Sequence, residues 1–450
     1  MHSWLCLLGL MLSGVAGATV PLLPQPRQIS VFDGLPSNRV NAIAEDRRGY
    51  LWIATRDGLA RYDGVGFRVW RTGEGLRDDF VWSVHVDAAD RVWIGTSKAG
   101  LAMLDGDRDR FTWHDRATWP EMASDDIWSI ASTPDGAVWF GTSHGGLHRL
   151  SADGRMHRYG HDPADPRSLP SDGVSHLVVD PRDGTLWVGT KGGVARWTGD
   201  GFERLPIERL GTAMVDGMTI DAAGSLWMGI HGAGMVRHAD GRIEQLPWID
   251  PLLGDRALSM MLEDSRGARW LDTRSGMAWV HDGRVDDVPL YSTTSRGMVR
   301  PAWSSAYEDQ EGGLWFASAD AGLWHLPANW RNFTVLQRRI GDAGSPANAF
   351  VYGAAPSSAG SGRGLWLVGS GGVLDHLDPE SGAVEHRLSA ACGALFITGV
   401  IEARDGGVWL GCQDQLVRFE PASGRVRRWL ADGSADAAPP GAYLPAGRTP

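Results

Sequence analysis

The residues of this chain best suited to chemistry recur at matching places along it. Arg56, Lys98, His144, Lys191, His231 and Arg274 each follow, by a few residues, one member of a regular series of tryptophans. Trp82 and Trp128 take a second recurring place, near the start of an apolar run, with Asp78-Asp79 and Asp125-Asp126 just before them. Cations, carboxylates and aromatic faces gathered on one surface suit a small polar ligand, of which a carbohydrate is one example.

Catalytic and metal-binding patterns are missing from the sequence. It has no His-x-His or Cys-x-x-Cys pair of the kind that holds zinc, no G-x-S-x-G elbow and no P-loop. Thr133-Pro134-Asp135-Gly136 is only a fragment of a sialidase Asp-box. His144 and His231 are a pair that a closed fold could bring face to face. The run Asp105-Gly106-Asp107-Arg108-Asp109 has the acidic spacing of a calcium loop. It lacks the glycine at the sixth place, and Arg116 stands where a bidentate glutamate is needed. It reads as a surface turn. The set therefore reads as binding rather than catalytic, with no cofactor and no metal.

The elements that must position these residues are set by the tryptophans Trp52, Trp93, Trp139, Trp187, Trp227, Trp270, Trp315, Trp366 and Trp409, spaced 40 to 51 residues apart. Around Trp52, Val40–Glu45 reads as a strand, Asp46–Gly49 as a turn and Tyr50–Thr55 as a second strand. Arg56–Gly58 turns again, and Leu59–Tyr62 and Phe67–Trp70 complete a four-stranded meander. A period of about 40–50 residues with this content is a β-propeller blade. The fold class is all-β. Strand alternation sends the marker tryptophans to one sheet face, where they pack on the adjacent blade as structural residues.

In such a blade the turn between strands two and three shares a face with the loop that feeds the next inner strand. That places Arg56, Trp82, Lys98, Trp128, His144, Lys191, His231 and Arg274 round one opening. The D-x-x-G turns lie on the other face and read as turn chemistry. Arg27–Phe32 precedes the first inner strand as an outer strand without its own blade, so it is expected to complete the seventh blade. This predicts a seven-bladed ring over residues 27–330, two further blades of a partial second propeller over 331–430, and a disordered tail over 431–450. A single eight- or nine-bladed ring is the alternative.

The run Phe32–Trp70 (FDGLPSNRVNAIAEDRRGYLWIATRDGLARYDGVGFRVW) closely resembles the start of the two-component regulator propeller family, and Leu169–Trp197 fits the same pattern. The resemblance covers about residues 29–420. It weakens in the sixth to eighth repeats, where Asp272, Ala317 and Val368 replace the glycine seen at Gly95. It implies the periplasmic sensor region of a bacterial hybrid histidine kinase or diguanylate cyclase. Full-length members carry two seven-bladed propellers, a β-sandwich, a membrane helix and an output domain. Against that pattern the chain reads as a truncated sensor, without membrane helix or output, and so not an enzyme. A free-standing periplasmic interaction scaffold is the second reading, and a propeller lyase or hydrolase the third.

The N-terminus reads as a signal peptide over residues 1–18, with an apolar stretch Trp4–Leu12 and small residues Ala16-Gly17-Ala18 before the cut. This implies a periplasmic protein with no membrane insertion after cleavage. The net charge of −11 lacks the basic stripe that nucleic acid requires. The partners expected are a small polar ligand and a second copy of the chain in a homodimer. Cys392 and Cys412 fall on neighbouring strands but not opposite one another, which favours two buried thiols.

Overall fold

In a computed structural model the described residues of the chain form short strands and three 3-10 turns. The structure describes residues 24–430 apart from 106, 109, 207–213, 232–233, 247–259, 293, 333–335, 337, 339–343, 359–363, 380, 390 and 393–395. The expected signal peptide and tail lie outside the described residues. Two compact units are present, 24–330 and 331 onward.

Within 24–330 the described residues form seven four-stranded antiparallel sheets, here blades 1 to 7, with inner strands starting at Val40, Val81, Ile127, Val174, Val215, Met261 and Trp303. Each inner strand touches the next, and the inner strand of blade 7 touches that of blade 1. The strand Arg27–Ile29 pairs antiparallel with Leu323–Leu326, as the fourth strand of blade 7. It is shorter than Arg27–Phe32. Ser30 caps a 3-10 turn over Val31–Asp33, with its side chain accepting from the Phe32 amide and Asp33 bonding back.

The second strand of each blade is where the core is made. Leu51–Thr55, Val92–Thr96, Val138–Thr142, Leu186–Thr190 and Leu226–Ile230 are buried on both faces. Each marker tryptophan fills the seam to the following blade. Trp52 packs with Val81, Val84, Val92 and Ile94, and Trp139 with Val174, Leu186 and Val188. The seams are close. A Cβ at Gly141 would sit 2.4 Å from Val174 Cγ1 of the next blade.

The marker tryptophans are also clasped from the turn below. In blade 1 the Trp52 indole donates to Asp46 Oδ2 (2.9 Å), while Asp46 Oδ1 accepts the Arg48 and Tyr50 amides. The same indole–carboxylate bond joins Trp93 to Asp87, Trp227 to Asp221, Trp270 to Asp264 and Trp315 to Asp309. Blade 3 uses the Thr133 hydroxyl for Trp139 instead. The turn aspartates thus do more than shape a turn. Asp221→Asn, which aims an amide N–H at the indole N–H of Trp227 or gives up the Ser225 amide, is expected to cost about 1–3 kcal/mol in urea unfolding.

One stretch departs from its sequence reading. Arg108 is not on the surface; it is 3% exposed and enters the seam between blades 1 and 2. Its Nη2 donates to Asp46 (3.1 Å) and Asp90 (2.9 Å), and its guanidinium lies 5.6 Å from the Trp52 ring centre. The turn that carries it uses a left-handed residue, Arg108 itself at φ 63°. Two carboxylates that need a cation decide its place, not its polar neighbours in sequence.

The unit from 331 onward contains two four-stranded sheets among its described residues, starting at Val351 and Ile397. Trp366 is buried between them, whereas Trp409 is half-buried and stacks on Trp429 at 5.1 Å. Cys392 and Cys412 form a disulfide with Cα atoms 5.6 Å apart, contrary to the expectation of two thiols. The ladder partner of Cys412 is Ile397. Cys392 lies before that strand, in a turn, so strand register does not hold it away. A crosslink closing a loop of 20 residues stabilises by roughly 3 kcal/mol. Dithiothreitol should lower the unfolding free energy of this unit by that amount and leave a Cys392→Ser/Cys412→Ser variant unmoved.

Candidate functional site

The face that carries the sequence candidates is built on a repeated defect. In blades 1 to 5 and blade 7 the first two strands slip by one residue near the top of the inner strand. The extra residues are Asn41, Trp82, Trp128, Ser175, Asp216 and Ser304. A bulge re-aims its side chain out of the pleat, so these six are presented together near the inner strands' upper ends. Three of them are tied to the neighbouring blade. Asn41 Nδ2 donates to the Val81 carbonyl (2.7 Å), Ser175 Oγ to Val215 (3.1 Å) and Ser304 Oγ to Val40 (2.6 Å). They hold blade to blade.

Trp82 and Trp128 have other company. Their ring centres lie 6.2 Å apart, edge to face. Phe80 packs on Trp82 at 4.4 Å. The Arg39 guanidinium lies 5.5 Å from Phe80 and 5.7 Å from Trp82. On the far side Lys191 Nζ sits 4.6 Å from the Trp128 ring and donates to the Ser143 carbonyl at 3.3 Å. Trp128 Nε1 donates to Asp126 (3.1 Å). The result is a continuous run, Arg39–Phe80–Trp82–Trp128–Lys191, crossing the tops of four blades with a cation at each end.

The turns behind the run are locked. Thr96 Oγ1 donates to the Gly100 carbonyl and accepts the Ala99 amide; Thr142 and Gly146, and Thr190 and Gly193, repeat the arrangement. Gly100 and Gly193 adopt φ of 84° and 126°, left-handed values that glycine takes without strain. Lys98, His144 and Lys191 therefore start from fixed backbone. Space is also reserved for Lys191, since a Cβ at Gly173 would lie 2.7 Å from its Cδ.

The eight predicted residues divide accordingly. Trp82, Trp128 and Lys191 come together, and His144 joins them through Ser143, whose hydroxyl bonds its Nδ1 at 2.6 Å. Lys98 is exposed, and its amide is held by Asp78. His231 pairs with Asp216 (3.1 Å) within its own blade and His144 with Ser143, so neither histidine's polar contact is the other. Arg56 and Arg274 are exposed turn residues outside the run. Arg39 and Phe80 were not among the sequence candidates. Each stands one place before an inner strand, and an aligned cation and aromatic at that place was the available signal.

The opposite face also has a cavity. One of about 450 Å³ lies at the seam of blades 7 and 1, lined by Glu45, Tyr62, Asp309, Trp315 and His325 among others. Burial pushes the Glu45 carboxyl above its usual range, and the carboxylate in turn accepts from the Gln310 amide at 2.9 Å.

Residues 34–57, 75–98 and 121–144 match the two component regulator propeller family. Each matched stretch runs from the incoming loop through the first two strands to the turn that carries Arg56, Lys98 or His144. The chain carries two-component regulator propeller repeats. Those repeats hold Arg39, Phe80, Trp82 and Trp128. No curated protein sequence matches the chain. Among solved structures, the extracellular domain of a putative hybrid two component system from B. thetaiotaomicron superposes with a TM-score of 0.67 at 16% identity, over 90% of this chain and 54% of that one. A second such domain from the same organism gives 0.55 at 17%, over 90% and 53%. The chain thus spans about half the length of these two domains. A catalytically inactive virginiamycin B lyase from Staphylococcus aureus gives 0.52 at 16%, over 67% of this chain and 98% of that one. At such identities these likenesses establish the propeller fold. No helix among the described residues is long and apolar enough to cross a membrane.

Proposed function

We propose that the 24–330 unit is the extracytoplasmic, non-catalytic ligand-sensing propeller of a bacterial signal-transduction receptor of the two-component or cyclic-di-GMP type. The observation that carries this reading is the run from Arg39 to Lys191. Half-buried aromatic faces flanked by two cations, on bulges held by a rigid ring, form a preorganised surface for a small polar ligand. An oligosaccharide fits best, because its apolar ring faces stack on indole while its hydroxyls meet charged groups. The regulator propeller repeats support a place in signalling. So does the likeness to extracellular domains of two component systems. The leader-like sequence at 1–18 supports export to the periplasm.

The test is a calorimetric and thermal-shift screen of the purified chain against neutral and acidic oligosaccharides. Saturable binding is expected, weakened at least tenfold by Trp128→Ala and by Lys191→Ala, as for truncation of a central aromatic or cationic anchor. Binding of equal strength in both variants would place the ligand elsewhere. Capture of a periplasmic protein, with no saturable small molecule, would favour an interaction scaffold.

A further inference from the structure

Another cavity of the 24–330 unit lies beside the bulges. It measures about 170 Å³, draws on blades 4 to 7 and is lined by His176, Met218, Met260, Met261 and Trp227, with small residues completing its wall. No lining residue carries a carboxylate. Met260 and Met261 are 3% and 9% exposed. A Cβ at Gly189 would lie 2.6 Å from Met218 Sδ and 3.3 Å from His176 Cβ, so the sulfur and the root of the imidazole share one patch of backbone. His176 Nδ1 is buried without a hydrogen-bond partner in the protein. A buried nitrogen left in that condition is destabilising, and a bound group would relieve it.

We propose that His176 and the thioethers of Met218, Met260 and Met261 form a copper(I) site. The donor set decides the ion. Thioether sulfur and imidazole are soft donors that select copper(I), whereas calcium, magnesium and manganese require carboxylate or carbonyl oxygen. Structural zinc sites are built on thiolate and imidazole, and no cysteine is present here. Methionine is also a common filler of irregular cores. Three methionines and a histidine whose Nδ1 has no partner, lining one cavity, go beyond that role.

The site is independent of the surface run from Arg39 to Lys191, and so is its test. Under anaerobic conditions, with ascorbate holding the metal as copper(I), the full chain with Cys6, Cys392 and Cys412 replaced by serine, and so free of competing thiols, is titrated against the copper(I)–bicinchoninate complex, with the colour of the chelator as readout. One equivalent of copper is expected to transfer. Met218→Leu, close in volume, should weaken binding at least tenfold and His176→Phe at least a hundredfold. His157→Ala, on an outer strand, should leave it unchanged. X-ray absorption of the loaded chain should show sulfur scatterers, fewer in Met218→Leu. Failure to draw copper from the chelator would overturn the site. So would equal affinity with and without Met218→Leu, which decides the matter even if His176→Phe does not fold.

Discussion

Replacing Arg108 with methionine should lower the stability of the 24–330 unit by about 3–5 kcal/mol, the cost of breaking a buried ion pair by removing one partner. For a unit of this size that is a fall of roughly 10 °C in Tm. Methionine keeps most of the stem that fills the seam between blades 1 and 2, so the loss isolates the guanidinium. The penalty arises at Asp46, which is fully buried and is left with no cation beside it. Asp90, 18% exposed, recovers water and contributes less. The two residues can be separated. Adding Asp46→Asn to Arg108→Met removes the stranded charge, so the double variant should be more stable than the sum of the two single losses predicts. A surface turn behaves otherwise, since its substitutions fall within about 0.5 kcal/mol. Calorimetric Tm values for the wild type, both single variants and the double variant decide between them. Strict additivity would mean that Arg108 and Asp46 do not act as a pair.

Arg108 also shows where sequence stops being legible. The tryptophan period makes the blades visible, because each repeat builds the same local meander. Strand limits read from turn residues fall within about one residue of those observed in blade 1, where Leu51–Thr55 and Gly58–Tyr62 stand for Tyr50–Thr55 and Leu59–Tyr62. What a repeat cannot reveal is contact between repeats. Arg108 meets Asp46 from 62 residues away, and Asn41 meets Val81 from 40. The same distance hides the role of the bulged residues. Asn41, Trp82, Trp128 and Ser175 occupy one aligned place. Two of them bond to the next blade and two build the aromatic run, and only the neighbouring blade tells them apart. Arg39 is hidden for this reason too, as its ring partners Phe80 and Trp82 belong to the next blade, whereas Phe80 meets Trp82 from only two residues away. Cys392 and Cys412 are a local case. Their separation is short, but the turn that carries Cys392 is outside the strand ladder from which opposition is counted.

The second large effect is on acid stability. The fully buried His148 stacks on Phe140 at 4.9 Å and accepts the Ala123 amide at its Nε2 (3.4 Å). Burial pushes its pKa down to about 4, with Arg158 adding to the shift. His85, bonded to Ser132 at 2.8 Å, is likewise held to about 4 by burial. In the unfolded chain both titrate near 6.5. Between about pH 6.5 and pH 4 the unfolded state therefore binds protons that the folded state refuses. Stability is full above pH 6.5, falls as pH drops through this window and levels once both states are protonated. For a fully buried imidazole a shift of this size corresponds to about 3 kcal/mol. The turn aspartates Asp87 and Asp221, held low mainly by the indole and amide bonds that outweigh their burial, titrate below the window in both states. Glu45, pushed up by burial, works in the opposite direction. A difference between variants cancels both. His148→Gln keeps an acceptor for the Ala123 amide and cannot titrate. The drop in unfolding free energy between pH 7 and pH 4.5 should therefore be smaller in His148→Gln than in wild type by about 2–3 kcal/mol. Equal drops would show that His148 charges freely in the folded ring and that its seat beside Phe140, between blades 2 and 3, is open to water.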